Sequence, residues 1–316
     1  MTQTERIRTV AVVGCGTIGA SWSALFLARG LDVVATDINP DAEAGLRAAI
    51  AKVWPDLQRL GLVQDGHTGT LRFEPNLAKA VKGADFVQEN AIEREAEKVA
   101  LLAEIDAHTR PDVLIASSSS AITITAMQRE CRHPERVVLG HPFNPPHLIP
   151  LVEVVGGTLT SPEVLSRAEA FYQSLGKSTI HLNKEIYGHV ANRLQGAVFR
   201  EAIHMLQSGV ASISDIDKAM TDGPGLRWAV MGPFLTYHLA GGNGGMEAFM
   251  TQFAPMQKKL WAELGSPEIG PAEQHAISEA MAAAVDGKAV ASFANQRDES
   301  LLALLAARAT IPTSAT

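Results

Sequence analysis

A β-rich run, Thr9-Val10-Ala11-Val12-Val13, leads straight into Gly14-Cys15-Gly16-Thr17-Ile18-Gly19, and a helical pattern from Ala20 to Arg29 follows it. Gly30 supplies a stop, and Leu31-Asp32-Val33-Val34-Ala35-Thr36-Asp37 reads as a second strand ending on an acid. The first glycine permits a tight turn, the second lets a pyrophosphate approach the backbone, and the third lets helix and strand pack closely. The helix N-terminus then offers phosphates its unpaired N–H groups and the positive end of its dipole. A glycine-rich turn alone is common; the strand before it, the helix behind it and the acid closing the next strand make it a dinucleotide signature. Gly14, Gly16, Thr17, Ile18 and Gly19 are therefore expected to line a cofactor site, with Asp37 accepting from the adenine ribose hydroxyls. The Asp37 charge would repel a 2′-phosphate, so NAD is expected over NADP. Cys15 reads as a small residue inside the turn, not a redox centre.

Ala84-Asp85-Phe86-Val87-Gln88-Glu89-Asn90 and Val113-Leu114-Ile115-Ala116-Ser117 read as further strands, with helical segments near 41–60 and 91–109 between them. This alternation predicts an α/β fold with a Rossmann-type doubly wound sheet. Ligands lie at the C-terminal ends of such strands. Ser117-Ser118-Ser119-Ser120 follows one of them directly, which favours a binding role for at least one hydroxyl over a merely solvated loop.

Gly140-His141-Pro142-Phe143-Asn144-Pro145-Pro146 reads as a turn carrying a titratable imidazole, and Glu153 interrupts the apolar run Leu151-Val152-Glu153-Val154-Val155. An ionised group there is costly unless paired. If turn and strand fold together, Glu153 can hold one nitrogen of His141 and leave the other free for proton transfer near neutral pH. A structural histidine beside a buried glutamate that meets a backbone donor fits the same residues.

After Ile180-His181-Leu182-Asn183-Lys184-Glu185 the strand signals fade. A helical pattern begins at Gly188, with Val190, Leu194, Ala197, Val198, Ala202, Met205 and Leu206 on apolar faces and Gly209 as a stop. Another helix start is read at Ser214-Asp215. The division expected is 1–187 for the nucleotide-binding domain and 188–316 for an all-helical C-terminal domain, within reach of 316 residues. Trp228, Phe234, Tyr237, Phe249 and Phe253 concentrate in one stretch, as core, subunit interface or ligand wall. The ten histidines form no HxxxH or HExxH spacing, so no metal site is expected.

With 27 basic and 34 acidic residues the chain carries −7, so it has no general attraction to nucleic acid or anionic lipid. Two cysteines are too few for a disulfide framework. Met1–Arg6 lacks the apolar core of a secretion signal and no apolar run reaches membrane-spanning length, so a cytoplasmic location is expected.

The fingerprint, the serine segment, the His-Pro-Phe-Asn-Pro-Pro stretch and Asn192-Arg193-Leu194 occur in the order found in the 3-hydroxyacyl-CoA dehydrogenase superfamily, which the chain resembles over nearly its full length. The resemblance implies a Rossmann-type domain followed by an all-helical domain that usually dimerises. It also implies that His141 is the general base, that Glu153 orients it, and that Ser120 and Asn192 hold the substrate oxygen or carbonyl. Asp37, Glu93 and Lys98 would contact NAD. The implied reaction is NAD-dependent oxidation of a 3-hydroxyl.

Acyl-CoA members tend to carry a lysine-rich helix after the second strand. Here Arg47, Lys52 and Arg59 are outnumbered by Asp41, Glu43, Asp56 and Asp65, a poor clamp for CoA phosphates. The segment from Gly223 to Met246 looks most like the branch acting on L-carnitine, whereas Phe143 to Pro150 and the four serines also resemble the L-gulonate (lambda-crystallin) branch. A small, CoA-free 3-hydroxy acid is the expected substrate, with L-carnitine first. The alternatives are L-gulonate, a 3-hydroxyacyl-CoA, or a crystallin-like structural role. For a quaternary ammonium substrate, Trp228, Phe234 and Tyr237 are expected as a distal wall, with Arg193 or Arg227 toward the carboxylate.

Overall fold

The computed structural model describes residues 7–63 and 68–311. Met1–Arg6, Asp65 of the charge comparison and the tail from Pro312 lie outside the described residues. The described residues fall into two compact units, those within Met1–Asn192 and Asp298–Ala307 and those within Arg193–Arg297 and Arg308–Thr316.

The first unit is built on β1 (Thr9–Val13), α1 (Thr17–Ala28), β2 (Asp32–Thr36), α2 (Ala42–Arg59), β3 (Leu71–Phe73), α3 (Leu77–Val81) and β4 (Phe86–Glu89). These are followed by α4 (Glu95–His108), β5 (Leu114–Ser117), α5 (Ile124–Met127), β6 (Val137–Pro142), β7 (Leu151–Gly156), α6 (Pro162–Ser174) and β8 (Ser178–His181). The strands form one sheet in the order β3-β2-β1-β4-β5-β6-β7-β8. Every neighbouring pair is parallel except β6 with β7. The first six positions give the 3-2-1-4-5-6 order of dinucleotide-binding sheets, the doubly wound α/β architecture expected.

The central strands are buried on both faces, as parallel strands sandwiched by helices must be. Val10 and Val12 of β1 pack into one apolar cluster with α1, whereas Ala11 and Val13 pack into a second with α4 and α5. The alternation follows from the two-residue period of a strand. Helix α1 is buried along most of its length and stacks Trp22 on Phe26 with centroids 5.3 Å apart.

The second unit is helical, as expected, and draws on α7 (Ala191–Gln207), α8 (Ile213–Asp222), α9 (Pro224–Trp228), α10 (Pro233–Ala240), α11 (Gly245–Glu263), α12 (Pro271–Val285) and α13 (Val290–Ala309). Among the described residues, no helix is long and apolar enough to cross a membrane.

Two local readings change. The stretch holding His141 is not a turn at that residue: His141 lies within β6, because Val137–Pro142 pairs with both β5 and β7, and the loop begins only at Phe143. Helix α7 starts at Ala191 rather than Gly188, because Gly188 and His189 have φ of +75° and +50°, which no right-handed helix accommodates. Its apolar residues are also not all internal: Leu194 and Val198 are exposed, and Ile203 is its buried member.

Candidate active site

His141 of β6 and Glu153 of β7 are direct partners in the antiparallel ladder. Facing residues in such a ladder share a side of the sheet, and here the His141 Nδ1 lies 2.8 Å from Glu153 Oε2. A carboxylate oxygen only accepts, so Nδ1 carries the hydrogen and the Nε2 lone pair is left available. The other oxygen, Oε1, accepts from the backbone N–H groups of Val190 and Ala191 at 2.8 and 2.9 Å, where α7 begins. Glu153 is fully buried. Burial alone would raise its carboxyl pKa, but the hydrogen bonds from His141, Ala191 and Val190 and the nearby imidazole outweigh it and hold the group below its usual range. The result is an imidazole fixed in one tautomer beside a carboxylate that stays ionised near neutral pH.

The serine run divides its work. Ser117 Oγ donates to Glu89, Ser118 Oγ donates to Asn90 Oδ1 and accepts from Gln88, and Ser119 Oγ donates to Glu93. The Ser120 hydroxyl has no hydrogen-bond partner among the described residues, and the same holds for the side chain of half-buried Asn192 at the start of α7. These two are therefore available to an incoming oxygen.

Glu93 organises this loop: one oxygen accepts from Ser119 Oγ and from the backbone N–H groups of Ser120 and Ala121. Burial works to raise its pKa, while the Ser119 hydroxyl, the Lys98 ammonium and the backbone N–H groups of Ala121 and Ile122 lower it below the ordinary glutamate value. Lys98 is buried and paired with Glu89 at 2.8 and 3.0 Å. Glu93 and Lys98, two of the residues implied to touch NAD, thus have protein partners as well, and Lys98 also borders the cavity described next.

A cavity of about 940 Å³ opens at the C-terminal ends of β1, β2 and β4, lined by Gly14, Gly16, Asp37, Ile38, Ile92 and Lys98 among others. The residues fit a dinucleotide. Gly14 has φ +89°, and a side chain there would strike the Asn90 carbonyl at 2.9 Å. A side chain on Gly19 would come within 1.9 Å of the Gly14 oxygen, so α1 packs closely only with glycine there. A Cβ on Gly16 would meet nothing within 4 Å, which leaves room for a phosphate against the open N-terminus of α1 at Thr17 and Ile18. Asp37 Oδ2 accepts from the Cys15 N–H at 2.7 Å and Oδ1 from the Asn39 N–H at 2.9 Å, so the acid that faces the cavity also braces the fingerprint turn. Burial and the Asp37 charge push the Cys15 thiol up to about 12, which leaves it unreactive.

The aromatic stretch separates in the structure. Phe249 is buried and packs on Tyr237 at 4.8 Å and on Phe253 at 5.2 Å, while Tyr237 itself stays exposed at the edge of this cluster. Trp228 and Phe234 are exposed on α9 and α10. Among the described residues no group of three or more His, Cys, Asp or Glu could hold a metal ion.

Sequence reasoning missed His189. Its ring is buried, its centroid lies 5.0 Å from that of His141, and its Nε2 is 3.1 Å from the Ser119 carbonyl oxygen. The available signal was a histidine directly after a glycine and just before the Asn192 helix, a residue type enriched among left-handed non-glycines.

Residues 9–186 match the family model for the 3-hydroxyacyl-CoA dehydrogenase NAD binding domain, and residues 188–267 match the model for the C-terminal domain of the same enzymes. A curated relative named L-carnitine dehydrogenase from Streptomyces coelicolor is 48% identical over 97% of this chain and 96% of its own length. One of the same name from Pseudomonas aeruginosa is 46% identical over 97% and 96%. Among solved structures, an NAD+-dependent dismutase, FHMPC 5-dehydrogenase, superposes with a TM-score of 0.81 at 28% identity, covering 95% of this chain and 97% of its own. With the fingerprint cavity, the His141–Glu153 pair and these matches along nearly the whole sequence, the chain belongs to the 3-hydroxyacyl-CoA dehydrogenase family.

Proposed function

We propose that this chain oxidises the 3-hydroxyl of L-carnitine to 3-dehydrocarnitine with NAD as cofactor. The observation that carries the reaction class is the His141 Nδ1 to Glu153 Oε2 contact of 2.8 Å, which leaves Nε2 as a base. His141 takes the hydroxyl proton at Nε2, and Glu153 stabilises the imidazolium as it forms. Bound NAD supplies the hydride acceptor. Ser120 and Asn192 hydrogen bond the reacting oxygen and hold C3 in line, an effect worth several kcal/mol in comparable sites, up to about 7–11. In the reverse direction His141 donates the proton.

The choice of a CoA-free substrate rests on α2 as well as on the named relatives. Arg47 is paired with Glu43 at 2.7 Å and Arg59 with Glu299 at 2.8 Å, so two of the cations that would face CoA phosphates already have carboxylate partners. Residues 1–187 are read as the NAD-binding domain and 188–316 as the helical substrate and dimerisation domain of a cytoplasmic homodimer. An NADH-forming assay across L-carnitine, L-gulonate, 3-hydroxybutyrate and 3-hydroxybutyryl-CoA tests the assignment. L-Carnitine is expected to give the highest kcat/KM; rapid turnover of L-gulonate with none of L-carnitine would overturn it.

A further inference from the structure

The segment Gly188–Ala191 touches two parts of the site at once. Its backbone amides at Val190 and Ala191 hold Glu153, and its one imidazole reaches the serine loop through the Ser119 carbonyl. A carbonyl oxygen accepts only, so His189 Nε2 bears the hydrogen and Nδ1 is a bare acceptor. That Nδ1 is buried without a hydrogen-bond partner among the described residues. A buried orphan acceptor is costly, and an apolar ring of similar shape would avoid the cost. An imidazole here is consequently explained by its donor and not by its shape.

We infer that His189 is a positioning residue for the dehydrogenase reaction: its Nε2–H ties the serine loop to the turn that holds Glu153, and so sets Ser120 against His141. The inference rests on the reading of His141 as the base. Ser120 directly follows the tethered Ser119, and its own hydroxyl has no partner among the described residues to orient it, so the backbone must do so. The same placement keeps His189 neutral. Burial lowers its pKa and the neighbouring His141 adds to this, against the Ser119 carbonyl, Glu153 and Glu93. A protonated ring would carry an Nδ1–H with no acceptor, 5.0 Å from an imidazole that must itself become cationic.

Two variants separate donor from shape. His189→Phe keeps a ring and removes the donor; His189→Gln keeps an N–H for the Ser119 carbonyl. His189→Phe is expected to lower kcat by up to about 100-fold, the scale of a small misplacement, with NAD affinity close to wild type, and His189→Gln to recover most of the loss. The variants are assayed on whichever 3-hydroxy acid the wild-type protein turns over fastest. Wild-type kcat in folded His189→Phe, or equal impairment of Phe and Gln, would overturn the inference. Imidazole 15N–1H correlation spectra of the wild-type protein without substrate give an independent readout. A neutral Nε2–H tautomer at residue 189 is expected at neutral pH, and an Nδ1–H or protonated ring would refute the proposal whatever the substrate. Full turnover in His141→Ala would instead strike the reading of His141 as base, and the spectra would still decide the His189 tautomer.

Discussion

His141 and Glu153 occupy facing positions of the β6–β7 ladder, and the carboxylate that receives the imidazole N–H on one oxygen receives two backbone N–H groups on the other. Three donors on a fully buried carboxylate leave it little freedom to rotate. The imidazole plane is thereby set by the sheet and by the first residues of α7 together.

Replacing His141 by alanine removes the imidazole proposed as the base while leaving the fingerprint cavity intact. Turnover is expected to fall by about two to four orders of magnitude, with NAD binding retained in a fluorescence titration. Near-normal turnover in a folded variant would remove His141 from the chemistry.

Glu153→Gln is close in shape but reverses a hydrogen bond. If the amide oxygen stays with Val190 and Ala191, the amide nitrogen faces Nδ1 and must donate to it. The imidazole proton then moves to Nε2, the nitrogen whose lone pair the proposed mechanism uses. The expected outcome is a loss of kcat approaching that of His141→Ala and a displaced pH–rate profile. An unchanged profile would end the pairing argument.

The same residue makes an acid-stability prediction. The Glu153 carboxyl is lowered from 4.5 in the fold, so the folded state binds fewer protons than the unfolded chain in that region. The stabilisation is present above about pH 4.5 and is lost as pH falls through the folded value. Urea unfolding of wild type and Glu153→Gln across this window should show a shallower acid dependence in the variant; parallel curves would contradict it.

Asp37 braces the fingerprint turn and is proposed to select NAD, and two substitutions divide these roles. Asp37→Asn keeps an acceptor for the Cys15 N–H and loses the charge, so it should relax the preference for NAD over NADP with modest loss of NAD affinity. Asp37→Ala also releases the turn and should weaken both cofactors. Cofactor dissociation constants for the two variants check this, and equal use of both cofactors by the wild type would defeat the premise.

Ser119 and Ser120 should part in the same way. Ser120→Ala is expected to lower kcat without changing thermal stability. Ser119→Ala removes a buried donor to Glu93 and should destabilise the fold by about 1–3 kcal/mol, read from chemical denaturation.

The fingerprint and the alternation of strands and helices were legible because glycine and β-branched runs encode backbone geometry locally. Glu153 was legible because a charge in an apolar strand demands a partner. His141 was placed in a turn because Gly140, Pro142, Pro145 and Pro146 surround it, whereas tertiary pairing with β5 and β7 keeps it in a strand. His189 was not legible at all: its meaning depends on a left-handed backbone and on Ser119, 70 residues away in sequence. The hydrogen bonds of Asp37 and Glu93 to the protein's own loops were not legible, since composition cannot distinguish a ligand contact from a brace.

Among the described residues the sheet has one antiparallel junction, β6 with β7, and it has a consequence for how the pair is held. Parallel neighbours are joined by long crossovers, but His141 and Glu153 are only 12 residues apart and the strands are closed by the loop 143–150. Ring closure over so short a span costs little chain entropy. A change of length within the loop can be absorbed without disturbing the ladder, while a one-residue slip in either strand would send one member of the pair to the opposite face. The paired imidazole and carboxylate are thus carried by one compact hairpin, and the register of two adjacent strands is enough to preserve their contact.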